Sequence, residues 1–173
     1  MTASGVERQS VPVPGTYEID TAASSLRFET RAFWLLPVVG TLTIGHGSIT
    51  VSESVEESSV DVVIPSGSFD SANAKRDEHV KSAEYLDTAA YPEMTFRGRS
   101  LDRSGGGGTL RGQLTVHGVT RPVAIAVDSV SFADGRLTAR GTTTVDRYAF
   151  GVTRSKGFTS RHLTISVTIS ARL

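Results

Sequence analysis

The stretch LTISVTISAR, residues 163–172, decides the fold because its apolar and polar residues alternate one by one. Leu163, Ile165 and Val167 fall on one side of an extended chain, and Thr164 and Ser166 between them fall on the other. A period of two residues is typical of a strand with one buried face and one wet face. Such strands favour an antiparallel sheet, since parallel strands covered on both sides read as continuous apolar runs.

The same alternation recurs along most of the chain. Turn-forming stretches such as IGHGS, RSGGGGT and FADGR separate the alternating segments. About eight to ten antiparallel strands are therefore expected, arranged as a sandwich or an up-and-down barrel. The further predicted strands are 16–20, 25–31, 38–44, 47–52, 58–65, 94–102, 109–117, 122–131 and 136–146.

Small residues at inward positions suggest space inside a barrel. An eight-stranded barrel either fills its interior with side chains or leaves a cavity for one small ligand. Small inward residues make room for a ligand, but they can also match large residues across a filled, tapered interior, and both interpretations stay open. The inward small residues are Thr30, Ala32, Gly40, Gly112, Ala139, Gly141 and Thr143.

Composition excludes several classes of function. The 173 residues suit one domain with its own core, and the absence of cysteine removes disulfides, thiolate zinc sites and cysteine nucleophiles. Eighteen basic and eighteen acidic residues cancel, which argues against a general attraction to nucleic acid or anionic membrane but leaves a local basic patch open. No export signal and no window of roughly 18 apolar residues is visible. We expect a soluble, cytoplasmic protein with a flexible arm at 1–15 and one barrel domain at 16–173.

One charged, helix-forming segment, RDEHVKSAEYLDTAAYPEMTF at 76–96, interrupts the strands. Ser71 or Asn73 can cap a helix over 74–81, on which Asp77 and Lys81 have the spacing of an exposed ion pair. Ser82 can begin a second short turn, and a strand resumes after Tyr91-Pro92. We expect this segment to form a lid across one end of the barrel.

Several spaced motifs resemble the YceI family of polyisoprenoid-binding, lipocalin-like proteins. They are the segment just described, GQLTVHGVTRPV at 112–123, DRYAFGVTR at 146–154 and YEIDTAASSLRFETR at 17–31. The resemblance implies an extended antiparallel barrel, a helix at one end and a long apolar tunnel that holds an isoprenoid chain such as a quinone tail. Many relatives are exported, and family members commonly carry a histidine near the position of Ala32.

The candidate site combines inward apolar residues, the inner side of the lid and an apolar rim. The run AFWLLPVV at 32–39 predicts that rim and, with the family resemblance, a homodimer. We expect a bound polyisoprenoid or quinone-like lipid, with no catalytic residues, metal or other cofactor, and no nucleic-acid partner. The predicted ligand contacts are Phe28, Phe33, Trp34, Leu42, Phe69, Arg76, His79, Tyr85, Met94, Phe96, Leu114 and Phe150.

Two other functions remain open. A hydrolase or isomerase acting on a hydrophobic substrate would use Asp77, His79 or His117 as acid or base, whereas a filled barrel would be a ligand-free scaffold for a partner. The four histidines lie far apart in sequence, without metal-ligand spacing. Cations and aromatic residues alternate in DRYAFGVTRSKGFTSRH at 146–162, which fits a lipid head group, single-stranded nucleic acid or a solvated turn.

Overall fold

The computed structural model describes residues 12–32, 36–154 and 159–173. Within these ranges the chain forms ten strands and a single α-helix, α1 (Ala74–Lys81). Each strand predicted from alternation is found, with its ends shifted by a few residues. The strands are β1 (Gly15–Ile19), β2 (Ser25–Ala32), β3 (Leu36–Leu42), β4 (His46–Val51), β5 (Ser59–Pro65), β6 (Glu93–Ser104), β7 (Gly107–Val116), β8 (Val119–Ala133), β9 (Arg136–Asp146) and β10 (His162–Arg172).

The sheet closes on itself through β10. One edge of β10 pairs with β9, and the other pairs with β2 and, farther along, with β1. The described strands β1 and β4 to β10 therefore form a closed ring of eight, and β2 and β3 continue from it as an antiparallel pair. The predicted up-and-down barrel is confirmed, and the sandwich is not adopted.

A short turn divides what would otherwise be one long first strand. The Asp20 side chain accepts a hydrogen bond from the backbone N–H of Ala23 at 3.2 Å and caps a turn over Thr21–Ala23. As a result β1 pairs with β4 near one end of the barrel, while β2 pairs with β3 near the other.

The register puts the predicted inward residues inside. Phe28 and Phe96 are 3% and 7% exposed, whereas the side chains of Arg27 and Arg97 are 54% and 70% exposed. Because the side-chain period is two, a slip of one residue would exchange these sets. Opposite Phe28 lies Gly40, where a Cβ would stand 2.2 Å from the Phe28 Cζ. Glycine at this position therefore leaves room for the ring.

A packed core fills the end of the barrel farthest from α1. Tyr17 and Ala171 are fully buried, and the ring of Tyr17 meets Phe132 edge-on with centroids 6.0 Å apart. The Tyr17 hydroxyl donates to the carbonyl of Val13 at 2.6 Å, so this buried polar group is satisfied. Leu137 is buried in the same cluster. This end of the barrel is therefore filled by side chains.

The chain between β5 and β6 carries the lid (residues 70–91). Asn73 caps α1 by accepting from the Arg76 N–H at 3.0 Å, and the predicted helix bounds are confirmed. Asp77 is buried and accepts from the Ser71 N–H at 3.0 Å, so the expectation that it lies on an exposed face is wrong. The helix ends before Ser82, and successive turns follow it, the first of which is the short turn expected to begin at Ser82.

Some sequence-based expectations fall outside the described residues. They concern residues 1–11 of the predicted arm, the aromatic residues Phe33 and Trp34, and residues 155–158 of the basic and aromatic loop. In the parts of the chain that are described, no helix has the length and apolar character needed to cross a membrane.

Candidate ligand-binding cavity

An apolar cavity of about 580 Å³ lies inside the barrel between the packed end and the lid. Its walls are inward residues of the strands, and its cover includes Val80 and Leu86 of the lid. Small-molecule sites typically enclose about 300 to 1,000 Å³ and are lined mainly by apolar side chains. The space is therefore large enough for a ligand of substantial size.

Small inward residues contribute to this space in two ways. Ala139, Gly141 and Thr143 of β9 line the cavity directly, as do Thr30 and Ala32 of β2. Gly40 and Gly112 act differently, because each provides room for an aromatic ring. A Cβ at Gly112 would stand 2.8 Å from the Phe96 Cζ, as one at Gly40 would crowd Phe28.

The start of the lid is fixed to the barrel by its backbone. The N–H and carbonyl of Asp70 both pair with Thr41 of β3, at 3.0 and 2.8 Å. The adjacent Phe69 is buried and packs with Phe28 and Val38. The chain therefore enters the lid from a position held by both hydrogen bonds and apolar packing.

Asp77 and Arg76 both bind Ser71. The Arg76 Nε donates to the Ser71 hydroxyl at 2.8 Å, and its Nη2 donates to the Ser71 carbonyl at 3.0 Å. Burial raises the pKa of Asp77, but hydrogen bonds from Ser71 and the charges of Lys81 and Arg76 outweigh it and hold that pKa below its usual value. Asp77 is therefore a carboxylate acceptor near neutral pH.

Glu84 contacts His79 within the lid and Arg154 in the loop after β9, so it joins the lid to that loop. Glu84 Oε2 lies 2.6 Å from His79 Nε2, and Glu84 Oε1 accepts from Arg154 Nη2 at 3.2 Å. The hydrogen bond with His79 and the positive charge of Arg154 hold the pKa of Glu84 below its usual value. We call these three residues the Glu84 bridge. It is exposed, so it fastens the lid weakly and reversibly.

Arg147 organises that same loop from within. Its guanidinium is buried and donates to the carbonyls of Val152 at 2.9 Å, Arg154 at 2.7 Å and Ser160 at 3.0 Å, with a further bond to Thr159. In the sequence Arg147 is one of the cations that alternate with aromatic residues at 146–162, and the pattern did not predict this role. Its donors are used within the fold, so it orders the loop beside the cavity.

Other cations of the basic and aromatic loop also have partners in the fold. Arg161 pairs with Asp146 at 2.8 Å and lies over the Tyr148 ring at 5.1 Å from its centroid. Arg154 belongs to the Glu84 bridge. Among the described residues of this loop, the cations Arg147, Arg154 and Arg161 are therefore used in contacts within the fold.

Most of the predicted ligand contacts lie around one space. Phe33 and Trp34 are outside the described residues and have no assigned position. The cavity wall also includes Val80, Leu86 and the inward residues of β10. The alternation in 163–172 predicts which residues of β10 face inward, so it could have identified these wall residues. The predicted residues that line the cavity are Phe28, Leu42, Phe69, Arg76, His79, Tyr85, Met94, Phe96, Leu114 and Phe150.

The three candidate acid–base residues do not form one constellation. His79 lines the cavity, whereas Asp77 is bound to Ser71 and His117 occupies the turn between β7 and β8. The His117 ring packs on Tyr91 with centroids 4.7 Å apart. Within the described residues, no group of three or more histidine or acidic side chains is placed to hold a metal ion.

A closed antiparallel barrel with an apolar cavity beneath a lid defines a lipocalin-like protein. The chain belongs to the YceI-like domain family, which matches residues 17–172. The comparison therefore confirms the family resemblance and includes the lid as well as the barrel.

Two relatives extend the match in sequence. A UPF0312 protein of Vibrio parahaemolyticus is 33% identical over 118 residues, covering 66% of this chain and 62% of the relative. The chain therefore matches less than two thirds of that relative's length. A UPF0312 protein of Shewanella baltica is 29% identical over 162 residues, covering 88% of this chain and 85% of the relative.

Two solved structures share the fold. Burkholderia cenocepacia BcnA superposes with a TM-score of 0.79 at 20% identity, covering 88% of this chain and 99% of that one. A polyisoprenoid binding domain from Saccharophagus degradans has a TM-score of 0.68 at 14% identity, covering 90% and 97%. At these identities the likeness establishes the architecture.

Proposed function

We propose that the protein binds a long apolar lipid, a polyisoprenoid or an isoprenoid quinone, inside the barrel. The observation that carries the proposal is the apolar cavity of about 580 Å³, packed shut at the Tyr17 end and covered by the lid at the other. The shape suits a chain that enters at the lid and extends toward Tyr17. The barrel at 16–173 would act as one binding domain.

Burial of the chain supplies enough energy for binding. Removing apolar surface from water contributes about 25 cal/mol per Å², so burying a few hundred Å² supplies several kcal/mol. A charged anchor is therefore not required for affinity. Carriage or storage of the lipid would need little covalent chemistry from the protein.

We expect the polar end of the lipid to lie under the lid. Arg76, His79 and Tyr85 are polar residues of the lid that line the cavity. Hydrogen-bond donors placed at one end of an apolar site fix the orientation of a ligand. The predicted contacts on the strands, among them Phe28, Met94, Phe96 and Leu114, would surround the chain.

The comparisons support the class of ligand. The Saccharophagus degradans neighbour is described as a polyisoprenoid binding domain and shares the barrel fold. Membership of the YceI-like family supports the same class of ligand. The identity of the head group and the number of isoprene units are then set by the residues of this chain's own cavity.

The test is mass spectrometry of organic extracts from gently purified protein. We expect a long-chain isoprenoid at close to one molecule per barrel. A matched variant, Ala139→Leu, should carry less lipid because its larger side chain would occupy the cavity wall. Extracts without any apolar lipid, from protein that also takes up none when it is offered, would overturn the proposal.

An enzyme is the second candidate, favoured by one contact. His79 lies on the cavity wall and its ring is held 2.6 Å from Glu84, an arrangement that can orient an imidazole for proton transfer. Incubating the extracted lipid with the protein and with a His79→Gln variant separates the two functions. Conversion that requires His79 would indicate a hydrolase or isomerase, and unchanged lipid would indicate a carrier.

A further inference from the structure

We propose that the described ends of β2 and β3, around Arg31 and Leu36, dock on a lipid surface that bears anionic head groups. The docking surface consists of Arg31, Leu36, Pro37 and Val39, and these residues are exposed. The inference rests on the proposed function, because it assigns the source from which the apolar ligand enters the cavity.

Apolar side chains are exposed on these strands beyond the rim of the barrel. Leu36 is 59% exposed and Val39 is 38% exposed. Leu36 has the same phase along β3 as Val38, which is buried and lines the cavity. An inward-phase leucine is thus left in solvent where the strand passes the lid end of the barrel. Transfer of this leucine side chain from water into an apolar environment would be favourable.

The docking surface is continuous with the cavity wall. In the β2–β3 register Leu36 lies opposite Ala32, and Val38 lies opposite Thr30. Ala32, Thr30 and Val38 all line the cavity, and Ala32 also bridges to Thr159 of the neighbouring loop. An apolar chain that left a membrane at Leu36 would therefore reach the cavity with little exposure to water.

The backbone edge of β3 argues against a second copy of the chain as the occupant. Both backbone groups of Thr41 are directed away from β2, toward Asp70. In an antiparallel strand alternate residues share that direction, so Val39 and Pro37 face the same edge. Pro37 has no N–H to donate, and proline on an edge strand blocks regular pairing with another strand. Docking on a lipid surface requires no hydrogen bonds from the backbone of β3.

The charge beside the apolar residues suits an anionic surface. Arg31 lies opposite Pro37 on the outer face of the strand pair and has no acidic partner among the described residues. Its carbonyl accepts from the Ser160 N–H at 2.8 Å, which joins β2 to the loop that carries Arg161. Exposed cations next to apolar side chains are attracted to anionic lipids, and salt weakens this attraction.

The test is flotation of the full-length protein with phosphatidylcholine vesicles that contain or lack phosphatidylglycerol. We expect the wild type to float with the anionic vesicles, and Leu36→Asp and Arg31→Gln each to reduce the bound fraction about fivefold to tenfold. Leu173→Asp and Arg172→Gln are matched controls, because both residues are exposed at the packed end of the barrel. The controls should float as the wild type does.

A second measurement separates failure of the docking surface from failure of the proposed function. A fluorescent isoprenoid added from ethanol should bind wild type and Leu36→Asp equally, because Leu36 does not line the cavity. Wild type that binds this probe but floats with no vesicle would overturn the docking surface alone. Wild type that binds no probe would overturn the proposed function.

Sedimentation tests the remaining occupant, a second copy of the chain. The docking surface predicts that Leu36→Asp and the wild type have the same oligomeric state. A wild-type dimer that Leu36→Asp converts to monomer would show that this surface is a subunit interface, as the homodimer expectation from residues 33–39 implies, and would overturn lipid docking.

Discussion

The rings of Phe28 and Phe69 are stacked, with centroids 4.7 Å apart and planes inclined by 19°. Phe28 belongs to the wall of the barrel, and Phe69 lies immediately before the lid. Gly40 leaves space for the Phe28 ring, and the Asp70 backbone pairing holds the chain at Phe69. Wall and lid are therefore packed together at this point, and both rings line the cavity.

Replacing Phe28 with alanine should change both stability and ligand preference. Loss of a buried phenylalanine typically costs about 3 to 5 kcal/mol, and the missing ring would also widen the cavity. We expect a shift toward bulkier or longer isoprenoids, measured by competition among probes of different chain length. Leu137→Ala is the matched control, because Leu137 is buried in the packed end and does not line the cavity. Its variant should lose about 2 to 5 kcal/mol while keeping the wild-type preference.

Replacing Asp77 with alanine should loosen the lid and leave the barrel folded. The change removes the acceptor for the Ser71 N–H and hydroxyl, two bonds that fix the start of the lid. Hydrogen exchange should become at least several-fold faster across residues 70–91, with the strands unaffected. Asp102→Ala removes an exposed carboxylate that pairs with Arg111 on the barrel surface, and it should leave lid exchange unchanged. Unaltered exchange in the Asp77 variant would show that other contacts hold the lid.

The stabilisation that Asp77 provides should disappear in acid. Its pKa is lower in the folded protein than in the unfolded chain, so the contribution is complete above the unfolded value and is lost as the pH falls through the folded value. In urea unfolding, the difference in free energy between wild type and Asp77→Asn should therefore be constant near neutral pH and shrink below about pH 4. A difference that grew on acidification would contradict the assigned direction of the pKa shift.

Breaking the Glu84 bridge should speed ligand exchange more than it weakens binding. Glu84→Gln removes the charge that joins His79 to Arg154, and therefore the lid to the loop after β9. We expect faster uptake and release in stopped-flow measurements, with a similar effect of added salt on the wild type because exposed charges are screened. Glu78→Gln, a change at an exposed position on α1 of the same lid, should exchange ligand at the wild-type rate. Equal rates in both variants would mean that the bridge does not control access.

Much of the fold follows from local patterns in the sequence. Alternation gives the strands because half-buried strands require it, and Asn73 together with Pro92 marks the limits of the helical excursion. The same alternation predicts that Phe28 faces the interior and Arg27 faces solvent, without knowledge of the three-dimensional structure. The cavity walls on the strands are predictable for this reason.

The contacts that hold the lid are less accessible to sequence reasoning. Glu84 and Arg154 are separated by 70 residues, and no local pattern marks them as partners. Asp77 has helical spacing to Lys81 but binds Ser71, because the turn before α1 brings a buried N–H and hydroxyl within reach. The Tyr17–Phe132 contact likewise depends on closure of the sheet, so alternation alone does not tell which end of the barrel is filled.

The central claim, that an apolar chain occupies the barrel, is tested most directly by narrowing the cavity at Ala139. This residue lines the cavity and already has a Cβ, whereas a Cβ at Gly141 would stand 2.8 Å from the Ile125 Cγ2 and confound the result. Titration with a fluorescent isoprenoid should show at least tenfold weaker binding to Ala139→Leu, with the free energy of unfolding little changed because the leucine enters empty space. Unchanged binding together with a loss of about 1 to 3 kcal/mol, the usual cost of overpacking, would mean that the barrel was already full and would contradict the claim.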